Sequence, residues 1–265
     1  MSNRIDSCFA GLKAQKQAAF IAFITAGDPT PEVTVPTMHA LVEGGADIIE
    51  LGVPFSDPSA DGTSIQGSNE RALKHNVGIL DVLQMVKEFR KENTTTPVVL
   101  MGYLNPIENL GVARFADIAA KAEVDGLITV DLPPEESFEF DEKIKARAIY
   151  PVYLLAPTST DERVKVITKL STGFVYYVSV KGVTGSKQPD YREVEAQLAR
   201  IRKYTELPIA VGFGIKDAKA VATIGEFADA VVVGSAIVNI MAAEKNLQNI
   251  PQAVSEFVSS IKNKS

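Results

Sequence analysis

Eight short runs of β-branched, aromatic and small apolar residues recur along this chain. Each is separated from the next by a stretch long enough for a helix, and no other feature constrains the fold as tightly. The runs cover residues 19–25, 47–52, 97–102, 126–130, 150–155, 174–179, 209–212 and 230–234. Strand–helix alternation gives parallel pairing, because the chain must cross over before it pairs again. Eight such units with roughly eight helices in 265 residues match the size of a (β/α)8 TIM barrel. The runs lack strict alternation, as expected of strands covered on one side and packed inside on the other. A doubly wound open sheet is the architectural alternative, since periodicity does not report closure. Helix starts are legible at Thr30, an N-cap with Pro31 in first position, and at Thr160-Asp161-Glu162. Two additions to the basic pattern are expected. Between the second and third strands there is room for two helices, about 64–76 and 78–93, and an extra N-terminal helix carries Ile5, Cys8, Phe9 and Leu12 on one face, suited to plug the barrel bottom. No linker, repeat or low-complexity tract divides the chain, so residues 1–265 are expected to form one domain.

Composition removes several classes of function. Acidic residues outnumber basic ones, 33 to 27, for a net charge of −6, which is no footprint for nucleic acid. An anionic ligand must therefore be attracted by local groups. The single Cys8 forms no internal disulfide, and no apolar run approaches a membrane span or a secretion signal. The cytoplasm is the expected compartment. Asn93-Thr94-Thr95 matches a glycosylation sequon but is read as a polar turn. Two histidines and one cysteine disfavour a zinc-dependent aldolase. His39 falls within a helix, and His75 near a helix end where a cation suits the negative pole. Lys181 and Lys216 fall in loops rather than at an inner barrel mouth, where a Schiff-base lysine belongs.

What remains is carboxylate chemistry on an anionic substrate. Glu50 lies in a strand whose Ile49 and Leu51 would face the helices, so Ile48, Glu50 and Gly52 face the other way. A carboxylate among apolar strand residues is costly without a partner or a task. Asp57 and Asp61 follow in a Gly/Pro/Ser/Asp-rich loop, so a second carboxylate can fold back toward Glu50. Two carboxylates in unlike surroundings suit proton transfer near neutral pH. The plainer reading is a strand-end Glu bonded to loop amides. After the last three strands come Gly182-Val183-Thr184-Gly185, Gly212-Phe213-Gly214-Ile215 and Gly234-Ser235-Ala236. Barrels grip phosphate with late loops and a helix N-terminus, where glycine lets amides approach the anion. Residues 182–187 are too short for a P-loop, and Gly212-x-Gly214 lacks the third glycine of a dinucleotide site. Phe23, Met101, Tyr103, Ile128, Tyr176 and Phe213 fall near strand ends and are candidates to line a pocket for a flat group, with ordinary barrel core as the alternative.

Several motifs together resemble the tryptophan synthase alpha chain family. They are Phe23-Ile24-Thr25-Ala26-Gly27-Asp28-Pro29, Glu50-Leu51-Gly52-Val53-Pro54-Phe55-Ser56-Asp57-Pro58, Ala60-Asp61-Gly62, Ile65-Gln66 and Tyr176-Tyr177-Val178-Ser179, with the three late glycine turns, the last extending through Ile237-Val238. The resemblance implies a barrel that cleaves indole-3-glycerol phosphate to indole and glyceraldehyde 3-phosphate. It implies Glu50 as acid and base, Asp61 as holder of the indole N–H, and Tyr176 as a neighbour in the site. Thr184 would orient the aspartate, and Gly185, Gly214, Gly234 and Ser235 would hold phosphate. It also implies a beta-chain partner in an α2β2 heterotetramer. Pyridoxal phosphate would belong to that partner, with no cofactor in this chain. Two positions depart from the family pattern. Ser59 replaces a large apolar residue and Thr63 a proline, which leaves the flanks of Asp61 looser. A stand-alone lyase releasing free indole, a phosphosugar isomerase using Glu50 as base, and a non-catalytic allosteric partner are the competing readings.

Overall fold

The computed structural model describes residues 3–179, 190–212, 214 and 217–262. The strands are β1 (Ala19–Thr25), β2 (Ile48–Gly52), β3 (Val98–Gly102), β4 (Gly126–Thr129), β5 (Tyr150–Pro151), β6 (Leu154–Leu155), β7 (Val175–Val178), β8 (Ile209–Gly212) and β9 (Ala230–Val233). All pairings are parallel, in the order β5-β4-β3-β2-β1-β9-β8-β7-β6. The helices are α1 (Arg4–Ala14), α2 (Pro31–Glu43), α3 (Thr63–Leu73), α4 (Ile79–Phe89), α5 (Leu104–Leu110) and α6 (Val112–Lys121). They continue with α7 (Phe138–Lys145), α8 (Asp161–Leu170), α9 (Tyr191–Ile201), α10 (Ala218–Gly225), α11 (Ser235–Ala243) and α12 (Ile250–Lys262). The extra helix after β2 is present as α3 and α4.

One expected strand is divided. The apolar run 150–155 reads as continuous, yet its first half pairs with β4 and its second with β7. Pro151 has no N–H to continue a ladder. Val152 N–H instead donates to Leu127 O at 2.9 Å, while Tyr153 O accepts from Tyr176 N–H at 3.1 Å. The two ends of the sheet are thus consecutive pieces of one segment, and that segment closes the barrel. The helix count also exceeds the roughly eight of the repeat and the two additions expected, with twelve α-helices among the described residues. The unit after β3 is broken at Gly111 (φ 89°) into α5 and α6, and α12 follows α11.

The strands sort their side chains as alternation requires. Ile49 and Leu51 join the layer between sheet and helices, whereas Ile48, Val99, Ile128, Phe174 and Ala210 fill the interior. The lower end of that interior is stopped by α1, whose Ile5 and Phe9 are buried among those residues with Cys8 and Leu12 against them. Phe9 packs on Phe174 with ring centroids 5.8 Å apart. Asn3 caps α1 by accepting from Ile5 N–H at 2.9 Å. Buried Asp125 ties the same end together, bonding Arg90 at 2.6 Å, Val98 N–H at 2.8 Å and Arg4 at 3.0 Å. Thr30 stands at the N-cap of α2 but its hydroxyl makes no capping bond, whereas Thr160 caps α8 through Arg163 N–H. Asn93 Oδ1 accepts from the N–H groups of Thr95 and Thr96, the polar turn expected there.

Candidate active site

A cavity of about 230 Å³ opens at the end of the barrel where the strands terminate. Glu50, Met101, Tyr176, Val178, Gly212 and Val232 reach it from the strands, Asp61 and Ile65 from the segment after β2, and Gly214, Gly234 and Ser235 from the late turns. Glu50 pairs in register with Phe23 of β1, and both face inward. A Cβ at Gly52 would lie 2.7 Å from the Phe23 ring, so this glycine makes room for the aromatic wall. Gly212 does the same for Tyr176, whose ring atoms lie within 2.6 Å of where its Cβ would be.

Glu50 is 1% exposed, and its Oε2 has no hydrogen-bond partner among the described residues. Burial first, and the Asp61 charge second, push its carboxyl up to about 8. Asp61 is drawn inward from its loop, whereas Asp57 is exposed beside the Ser56 hydroxyl. Burial raises Asp61 to about 6, against bonds from Tyr103 and Asn69 that favour the anion. Asn69 Nδ2 donates to Asp61 Oδ2 at 3.3 Å, and Gln66 Nε2 to Asp61 O at 2.8 Å. Tyr103 accepts from Ala60 N–H at 3.0 Å and stacks on Phe55, centroids 5.0 Å apart. Burial, then the two carboxylates, raise the Tyr176 hydroxyl. Burial thus lifts both carboxyls, Glu50 further than Asp61, and two carboxyls in unlike surroundings suit separate acid and anion roles.

Of the residues singled out in the sequence, Phe23, Glu50, Asp61, Met101, Tyr176, Gly214, Gly234 and Ser235 meet at this cavity. Tyr103 lies in a side recess and reaches the site through the Asp61 loop. Ile128 does not line the cavity. It is fully buried beneath the cavity, in the interior cluster, because alternation decides that a side chain points inward but not how deep along the barrel it sits. Thr184, Gly185 and Phe213 lie outside the described residues. His39 packs on Phe89 in the helical layer, and a His75 ring nitrogen bonds Pro29 O, so neither approaches the carboxylates. Nothing in the sequence singles out Asn69, although it stands three residues beyond Gln66 on the face of α3 that meets Asp61.

A barrel with two buried carboxyls at the C-terminal mouth and glycine turns after its last strands has the layout of the acid–base enzymes of this architecture. The comparisons narrow the class. The sequence profile described as "Tryptophan synthase alpha chain" matches residues 9–265. Relatives of that description from Herminiimonas arsenicoxydans and Methylococcus capsulatus are 53% and 54% identical, covering 98% and 92% of this chain and 98% and 91% of their own. The crystal structure of tryptophan synthase subunit alpha from Legionella pneumophila superimposes with a TM-score of 0.92 at 44% identity, covering 100% of this chain and 98% of that one. The chain belongs to the tryptophan synthase alpha chain family.

Proposed function

We infer that Glu50 performs both proton transfers of the family's reaction and that Asp61 stabilises the charge created between them. The chain is a carbon–carbon lyase of tryptophan biosynthesis, cleaving indole-3-glycerol phosphate to indole and glyceraldehyde 3-phosphate. The observation carrying the residue assignment is a buried, partnerless Glu50 Oε2 on the wall of the cavity that Asp61 also lines. The protonated Glu50 gives its proton to the indole ring carbon that bears the glycerol chain. Positive charge then develops on the ring nitrogen, and the Asp61 carboxylate accepts its N–H. Glu50, now an anion, takes the proton of the adjacent glycerol hydroxyl as the carbon–carbon bond breaks. The aldehyde forms, the bonding electrons return to the ring, and Glu50 regains its starting proton.

Phe23, Met101 and Tyr176 supply apolar surface for the indole ring. Gly214, Gly234 and Ser235, with the amides opening α11, suit the phosphate, and Thr184, Gly185 and Phe213 are assigned to the same ligand on the resemblance alone. Gripping the phosphate away from the scissile bond turns remote binding energy into alignment. The chain is assigned to the cytoplasm as one domain, to an α2β2 assembly with a beta chain, and to a reaction needing no cofactor of its own, pyridoxal phosphate belonging to the partner. Indole release measured with and without a beta chain tests the reading. Glu50→Gln and Asp61→Asn are each expected to slow cleavage by about 10²- to 10⁴-fold with substrate binding retained. Turnover within a few-fold of wild type in either variant would remove that residue from its role.

A further inference from the structure

Helix α3 carries two adjacent stripes of polar side chains with different partners. Gln66 and Asn69 bond the backbone and carboxylate of Asp61. The neighbouring stripe runs through Ser68 and Arg71, three residues apart on one face, and His75 follows just past the end of the helix. Each of these is tied to β1 or the loop that follows it. Ser68 Oγ shares a hydrogen bond with Thr25 Oγ1 at 2.6 Å, and a His75 ring nitrogen meets Pro29 O at 3.1 Å. Between them, Arg71 Nε and Nη2 donate to Asp28 Oδ1 and Oδ2 at 2.6 and 2.9 Å. Asp28 is fully buried, so the fork cannot be traded for water without stranding a charge. Neither Asp28 nor Arg71 lines the cavity.

A two-point guanidinium–carboxylate fork fixes orientation as well as distance. Rotating a helix by about 20° carries a side-chain tip ~2 Å, since the tip rides roughly 5–6 Å from the axis. That displacement is enough to break the Asn69–Asp61 hydrogen bond. We propose that Arg71 is a positioning residue for the cleavage: its fork on Asp28 sets the rotation of α3 about its axis, and thereby holds Asn69 against the Asp61 carboxylate. The proposal rests on Asp61 being the group that stabilises the cationic indole.

The test uses the full chain, indole-3-glycerol phosphate as substrate and indole release as readout. Arg71→Met is expected to lower kcat by about 10- to 100-fold while KM stays within about twofold, because the phosphate is gripped elsewhere. Arg71→Lys, which keeps the charge but loses the fork, falls between Met and wild type. Paired Asp28→Asn and Arg71→Met changes remove the stranded charge, so the unfolding midpoint returns toward wild type while kcat remains low. In an Asp61→Asn background, Arg71→Met costs less than twofold. Wild-type kcat in Arg71→Met or in the paired variant would overturn the proposal, as would an undiminished loss in the Asp61→Asn background. A slow Asp61→Asn beside a normal Arg71→Met overturns this proposal alone. Normal turnover by Asp61→Asn overturns the Asp61 assignment and this proposal together.

Discussion

Glu50 holds its proton in the folded chain at pH values where the unfolded chain has released it. Its carboxyl is lifted by burial to about 8, while an unfolded Glu titrates near ~4.3. Between those values the native state binds more protons, so stability falls as pH rises. The contribution is complete below the unfolded value and lost as pH passes through the folded one. Glu50→Gln has no such loss, and should be more stable than wild type near pH 9 by about 2–5 kcal/mol, yet closely matched near pH 4. Urea midpoints across that range measure it, and parallel curves for the two proteins would show that no proton is held. The Asp61 carboxyl, up to about 6, adds a second fall at lower pH in both. At the wall proposed to hold phosphate, Gly234→Asp should abolish binding of glycerol phosphate. An added Cβ there already lies 3.2 Å from Phe23 Cβ, and the carboxylate repels the anion; calorimetry reads the outcome, and unchanged affinity moves the phosphate elsewhere. Glu50 was legible in the sequence because an acid in an apolar strand calls for an explanation, and Asp61 because the loop after that strand can fold a second carboxylate back toward it. Asn69 was not, since its bond to Asp61 depends on how α3 is turned.

Among the elements, α3 links the carboxylate loop to the barrel frame, and it opens at Thr63, one of the two positions that the sequence reading sets apart from the family pattern. Thr63 opens α3, and Gly62 before it is extended at φ −76°, ψ 165°, the backbone that a residue preceding proline prefers. The first N–H of a helix has no partner within it. Thr63→Pro should therefore fit without strain and stabilise the fold by about 0.4–1 kcal/mol. Combined with Ser59→Leu on the exposed loop, it should raise cleavage by the isolated chain; an unchanged urea midpoint would show that the loop is already as constrained as proline would make it. Helix α2 before this position was readable from Thr30 and Pro31 at its start, and α3 and α4 from the room between the second and third strands. The division of residues 150–155 was not, because Tyr150, Val152, Leu154 and Leu155 satisfy one strand as well as two, and the break follows from which neighbours the backbone meets. The α1 plug was readable because Ile5 and Phe9 share a face of a short helix.

Across the whole molecule, Asp61 reaches the cavity from a segment whose Ser56, Asp57, Ser59 and Ala60 are exposed. A partner that binds better when this segment is seated must shift it toward the working arrangement. A coupling of about 1–3 kcal/mol corresponds to a roughly 5- to 150-fold acceleration. Cleavage is accordingly expected to quicken within that range on adding the cognate beta chain, and equal rates with and without it would favour an enzyme that works alone. The barrel architecture was legible from the eightfold alternation, but closure was not, because it rests on bonds that residues 150–155 make to both flanks. That seam has a consequence for how the molecule meets its neighbours in a crowded solution. A sheet sealed through one short segment presents no rim on which a foreign strand can grow. The same economy concentrates risk: if those six residues let go, two raw rims appear together, each shaped to adhere to another chain in the same condition.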